Sequence, residues 1–535
     1  MQTADLHHWE LILLFLLILI ASVTALARRF QIPYPIVLVI GGLIVSLIPN
    51  MPEITLNPDV VFLVFLPPLL FAAAYHTSWR DFRANIVGIS LLAFGLVGFT
   101  VAALAFAAGW FLPGFDHRTG FVLGALVAST DAIAATAIAR RVGLPRRITD
   151  LLEGESLVND ASSLVALEFA VAMIMTNQAP TIGAGLVRLV YLAAVGVLVG
   201  LVSGRVIRWG QTRLTDAPIE VMLTLVAPYL AYIAAESLHA SGVLSTVACG
   251  LYLGHKRSRA LSTQARLESA AVWNTLDFVL NGLVFVLIGL QLPHILAGIR
   301  NLSLPTLLMY GALLTIVLIA LRLTWVFAES WISRGIRQVV KSAAPALPAK
   351  ETFIVGWTGM RGVIALAAAF SLPEVLHDGS AFPQRDVLLF LTFCVILVTL
   401  VAQGLTLPFL IRKLGMAATY SPNCEENEAR RRMLSAAINH IRDLRSRDNP
   451  ADEEALGDLL HHYQQRLEEA ESTSTATTSD AANYEQYRVL SSQLRGVERS
   501  AILRLRDQNT ISDEVLRTLE RDLDMMDARF LSSRP

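Results

Sequence analysis

Residues 153–160 read EGESLVND, within a stretch from roughly 150 to 175 that otherwise has the composition of a membrane-spanning helix. A charge in hydrocarbon costs at least ~2.5 to 3.5 kcal/mol. A span that holds Glu153, Glu155 and Asp160 beside Asn159 therefore has to offset that cost through a partner, a cavity or an ion. Residues three and four apart share a helix face, which sets Ser156, Asn159 and Asp160 on one polar stripe and stands Glu155 above Asn159. A neighbouring hydroxyl or arginine would satisfy Asp160 taken alone. Carboxylate, amide and hydroxyl oxygens at this density exceed what packing requires, and they are the ligands of hard cations, so the stretch is read as a cation site.

The rest of the chain fits that setting. Hydrophobic residues make up 54% and charged residues 16%, with a mean hydropathy of +0.54, the balance of a polytopic membrane protein. Apolar runs of spanning length number about thirteen, near 10–27, 34–49, 58–75, 85–112, 119–139, 150–175, 183–204, 217–236, 239–254, 272–292, 304–331, 351–372 and 387–411. Basic residues gather in the odd connections: Arg28–Arg29, Arg80/Arg83, Arg140–Arg141/Arg146–Arg147, Arg205/Arg208/Arg213, Lys256–Arg257/Arg259/Arg266 and Arg334/Arg337/Lys341/Lys350. The even ones hold little beyond Arg118, Arg300 and Arg385. The positive-inside rule then puts the N-terminus outside and the C-terminus, after Arg412–Lys413, in the cytoplasm, in a multi-pass protein of the plasma membrane, expected to be a bacterial inner membrane. The first run lacks a basic n-region and a cleavage site and is read as a retained helix.

Cys249, Cys394 and Cys424 lie far apart and form no zinc or redox motif. The net charge of -1 is spread over short clusters between apolar runs, so no nucleic-acid surface is indicated, and no cofactor is expected. Composition changes near residue 415. A transmembrane domain over 1–414 is followed by a soluble, mostly helical cytoplasmic domain over 415–535, in which STSTATTSD reads as a linker and Leu434, Ile438 and Ile441 form an amphipathic stripe.

The remaining polar residues of the spans are few. Ser129–Thr130–Asp131 in the fifth and Gly356–Trp357–Thr358–Gly359 in the twelfth loosen a helix without a proline in either. Interrupted helices in corresponding positions of inverted halves line the binding sites of many secondary transporters, and these two lie seven spans apart, as in a six-helix unit repeated after an intervening helix. Half-helix ends carry partial charges, so Asp131 is placed to offset positive N-termini and Arg361 negative C-termini; a salt bridge to a neighbour is the alternative for each. Asp277 and Asn281 share a face of the tenth span, lining an access path or satisfying an interface. Pro67–Pro68 kink the third span. His7, His8, His76 and His255 stand near span ends, solvated or pH-sensing.

The segments FLPPLLFAAAYH, ASTDAIA, EGESLVNDASSLV, FVLNGLVFVLIG, RLTWV and GWTGMRGVIALA resemble those of the monovalent cation:proton antiporter-1 family, the bacterial and animal Na⁺/H⁺ exchangers, over about residues 10 to 415. The resemblance implies a thirteen-helix all-α fold with a core domain around crossed, unwound fifth and twelfth helices, a separate dimerisation domain, and a homodimer in membrane lipid that works by elevator-like movement. It implies that Asp160 binds the ion and the proton with Asn159 beside it, and that Ser156 and Thr130 help coordinate Na⁺. Glu155 is expected to pair with Arg322, and Asp131 occupies the acid position of the fifth-helix break, where Ala132 replaces a frequent family proline.

A single titratable ligand lets a proton and a monovalent cation compete for Asp160, so one cation exchanges for one proton with no net charge moved. Three other classes compete. A channel would present a repeated ring or filter sequence, and none appears; an intramembrane hydrolase would need a base beside Ser156, and no histidine lies in that span or its neighbours, so no enzyme is expected. A K⁺/H⁺ antiporter of the same fold stays open beside Na⁺ (or Li⁺) exchange, since the same oxygens serve either ion.

Overall fold

The computed structural model describes residues 2–30, 32–48, 58–176, 182–214, 216–299, 303–340, 347–376, 379–416, 423–445 and 453–475, with a few positions between 497 and 519. Lys341, the Ser/Thr tract past Thr475, and the side chains of His7, His8, Arg140, Arg141, Arg146, Arg334, Arg337 and Cys424 lie outside the described residues. The described elements are helices, joined by one isolated antiparallel bridge between Val375 and Ala381. Ten stretches among them are long and apolar enough to cross a membrane, and Tyr34–Ser46 is a shorter apolar helix. Gly242–Ala260 and the pair Ala349–Trp357 and Val363–Phe370 occupy the ninth and twelfth of the apolar runs.

The chain divides into two compact units, Met1–Ala418 and Thr419–Pro535. In the second, Asn423–Arg445 packs against Glu453–Thr475, and Leu434, Ile438 and Ile441 are buried. The first unit holds the site, and its irregularities are what shape it.

The fifth span begins at a capping box: the Asp116 carboxylate accepts from the Thr119 N–H (2.9 Å) and the Thr119 hydroxyl accepts from the Asp116 N–H (2.8 Å). Helix His117–Ala128 then stops at Ser129 (φ −61°, ψ 136°), and Ala132–Val142 starts after Asp131 (φ −92°, ψ 117°). Ser, Thr and Asp in succession favour this exit, because their short side chains offer the backbone other partners. The twelfth span is interrupted over Thr358–Gly362, between Ala349–Trp357 and Val363–Phe370. The two interruptions lie against each other, the Asp131 N–H donating to the Met360 carbonyl at 2.8 Å. Glycine is required there: a Cβ on Gly362 would stand 2.7 Å from the Asp131 side chain, and one on Gly359 2.8 Å from Arg322 Nε.

Elsewhere the helices widen rather than break. Leu91–Leu96 forms a π-helical turn, and carbonyls there take side-chain donors from other spans: Trp325 Nε1 to Leu91 O (3.0 Å) and Ser162 Oγ to Ala93 O (2.5 Å). Another such turn, Val61–Phe65, precedes Pro67 and Pro68, whose missing N–H groups deprive that turn of its usual donors. The tenth span, Thr263–Leu290, packs on the first, second, third and eighth spans. Against the second it comes to backbone distance, since a Cβ on Gly289 would lie 2.8 Å from the Gly42 carbonyl carbon.

Candidate ion-binding site

A cavity of about 310 Å³ opens between the sixth span with the broken fifth on one side and the third and tenth on the other. Ser129, Asp131, Ser156 and Asp160 line the first side; Asp277 and Asn281 line the second, with Tyr34 from the second span. Asp160 is 3% exposed, and its Oδ1 accepts from the Ser129 hydroxyl. The Ser156 hydroxyl accepts from the Ala132 N–H, at the start of the second half of the fifth span (3.3 Å).

Five residues earlier on the same helix the arrangement is different. Glu155 is bound by both terminal nitrogens of Arg322, at 2.5 and 2.8 Å, and accepts from the Thr130 hydroxyl at 2.9 Å. Arg322 also donates from Nε (3.3 Å) and Nη2 (3.2 Å) to the Val355 carbonyl, in the first half of the twelfth span. Both charges are buried, and the planar guanidinium fork meets the carboxylate with two hydrogen bonds. Asn159 donates to the Thr130 hydroxyl at 2.6 Å, so the extended link of the fifth span is held from two positions of the sixth.

The two charges at the interruptions each meet a helix end. The Asp131 carboxylate accepts from the Ile133 N–H at 2.7 Å, capping the second half of the fifth span. Arg361 donates from Nη1 to the carbonyls of Ala128 (2.8 Å) and Ser129 (3.0 Å), the end of the first half, and its own N–H donates to the Thr399 hydroxyl (3.2 Å).

Of the residues singled out in the sequence, the structure brings Asp160, Ser156 and Asp131 onto the cavity and joins Glu155 to Arg322. Thr130 and Asn159 are not among the cavity-lining residues; their side chains bond each other, and Thr130 bonds Glu155. The hydroxyl on Asp160 comes instead from Ser129, which the helical reading treated only as part of a loosening triplet. Its adjacency to Thr130 was the available signal. Tyr34, aligning with no charged motif, gave none.

Described residues that form helices, with two interrupted helices meeting beside a buried carboxylate that lines a cavity, have the architecture of a multi-pass membrane transporter. The sequence profile described as "Sodium/hydrogen exchanger, transmembrane" matches residues 13–413, and the chain belongs to that family. It is 35% identical over 474 residues to the sodium, potassium, lithium and rubidium/H⁺ antiporter of Bacillus pumilus, covering 85% of this chain and 69% of that protein. It is 32% identical over 429 residues to the Na⁺/H⁺ antiporter ApNhaP of Aphanothece halophytica, covering 79% and 78%. The fold is that of the sodium proton antiporter MjNhaP1 of Methanocaldococcus jannaschii, with a TM-score of 0.57 at 19% identity over 77% of this chain and 99% of that one.

Proposed function

We propose that this protein exchanges Na⁺, or Li⁺, for H⁺ across the membrane by alternating access, with Asp160 as the carboxylate that the two ions share. One observation carries this reading: Asp160 is buried at the cavity with a serine hydroxyl as its hydrogen-bond partner, whereas Glu155 on the same helix is matched by an arginine. An unoccupied carboxylate in such a place is costly, and either a proton or a monovalent cation offsets the cost. Ser129 and Ser156 are the hydroxyls placed to complete the ion's shell. Asn159 and Thr130, which the resemblance assigns to the ion itself, act in this conformation by holding the fifth-span link against the sixth.

Because one carboxylate serves both ions, the exchange is one for one and electroneutral. The protein is a carrier and not an enzyme, with thirteen crossings in inverted repeats, its N-terminus outside and its C-terminal domain in the cytoplasm of a bacterial inner membrane. It works as a homodimer in intracellular pH and sodium homeostasis. Potassium is the second reading, favoured by the Bacillus pumilus relative named for potassium as well as sodium.

The test is dequenching of a pH-sensitive dye in proteoliposomes on adding Na⁺, Li⁺ and K⁺ in turn, at two clamped voltages. Responses to Na⁺ and Li⁺ that are independent of voltage agree with the proposal. A K⁺ response of equal size moves the selectivity to the second reading, and a voltage-dependent rate contradicts one-for-one exchange.

A further inference from the structure

The tenth span contributes a polar pair that the proposed exchange does not use. Asp277 and Asn281 stand one helical turn apart, with Asn281 Nδ2 donating to Asp277 Oδ1 at 2.9 Å. That bond uses the donor half of the amide. The acceptor half, Asn281 Oδ1, has no hydrogen-bond partner although the residue is 1% exposed. Buried acceptors are nearly always paired, and an orphan calls for an explanation. Both residues line the cavity that holds Asp160, together with Tyr34 of the second span. The Asp277 carboxylate offers no donor in return, so the amide oxygen needs a partner from elsewhere, and a cation in the cavity is one.

We infer that Asp277 and Asn281 form a second cation station in this cavity, which takes up a partly hydrated monovalent cation before it reaches Asp160. The pair offers a carboxylate oxygen beside an amide oxygen, both hard ligands. The mounting differs. Asp160 sits on the sixth span beside the two interruptions, whereas Asp277 and Asn281 sit on a helix pinned at Gly289 to the second span. The station therefore concentrates the cation at the cavity without belonging to the exchanging carboxylate, in the way that a cleft lined by one sign of charge raises the local counter-ion concentration.

This inference rests on the exchange reading, and binding of ²²Na⁺ to the purified full-length protein separates the two. With Asp160→Asn, saturable Na⁺ binding is expected to persist about tenfold weaker than in the wild type, and adding Asp277→Asn is expected to remove it. No residual binding in Asp160→Asn overturns the station and leaves the exchange reading standing, as does residual binding that the second substitution does not alter. Wild-type binding in Asp160→Asn sinks the exchange reading and the station with it. In proteoliposomes, Asp277→Asn should raise the half-saturating Na⁺ concentration about tenfold with the maximal rate kept, and adding Asn281→Asp, which returns the charge one turn away, should bring it back. A lowered maximal rate at unchanged half-saturation would make the pair structural. Should Asp277→Asn not fold, Asn281→Leu reads the same quantity, with a rise in half-saturation expected and no change contradicting the station.

Discussion

Glu155 and Asp160 are two carboxylates on one helix, both buried, and they meet opposite surroundings. Glu155 is closed off by a bidentate arginine and a threonine hydroxyl, partners that the chain itself supplies. Asp160 has a serine hydroxyl and a cavity, and under the proposed function an arriving proton or cation neutralises it. Under the proposed function, one membrane helix uses the same functional group for structure and for exchange. What decides is whether a cation is supplied by the chain or by the solution.

That contrast can be broken by substitution, first on the structural side. Removing one partner of a buried ion pair leaves an uncompensated charge and costs about 3–5 kcal/mol. Arg322→Ala is therefore expected to lower the denaturation midpoint in detergent more than any other change discussed, and Arg322→Met combined with Glu155→Leu to recover much of the loss. A single substitution that left the midpoint in place would remove Glu155 from the structural class.

A smaller loss is expected at the interruption. Arg361→Ala leaves the Ala128 and Ser129 carbonyls without their donor, at about 1.5–3 kcal/mol for hydrogen bonds to a charged group. The same melting measurement reads it. Arg361→Lys should recover only part, since an ammonium is a point charge on a flexible stem.

Smaller still, and sharper, is the pair of neighbours Ser129 and Thr130. Thr130→Val should cost about 1 kcal/mol of stability and leave the half-saturating Na⁺ concentration nearly unchanged. Ser129→Ala should do the reverse, changing stability little and raising the half-saturation in a dye-dequenching titration. If the two effects were exchanged, the assignment of the hydroxyls would be inverted.

This last pair marks where the sequence stops being legible. The spans could be read because hydropathy registers lipid contact directly, and EGESLVND stood out because acids are expensive in apolar surroundings. The pairing of Glu155 with Arg322 was available only through the family resemblance, as nothing local links positions so far apart. Ser129 was missed for a geometric reason. A helical reading places neighbours about 100° apart, but the chain leaves the helix at Ser129 and is extended at Ser129 and Asp131. Extended backbone turns successive side chains to opposite faces, so Ser129 reaches Asp160 while Thr130 reaches Glu155 and Asn159. On the cavity's second side the sequence offered Asp277 and Asn281 as one polar face, lining an access path or satisfying an interface, but not which, because that depends on how closely the second and tenth spans approach at Gly42 and Gly289.

The most direct measurement sets the two carboxylates side by side. Asp160→Asn and Glu155→Gln would each be purified, melted in detergent and assayed in proteoliposomes for Na⁺-driven dequenching of the pH dye. Asp160→Asn is expected to keep its denaturation midpoint and lose all exchange, and Glu155→Gln to lose stability by leaving Arg322 unpaired. Na⁺/H⁺ exchange that persisted in Asp160→Asn would contradict the account at its centre.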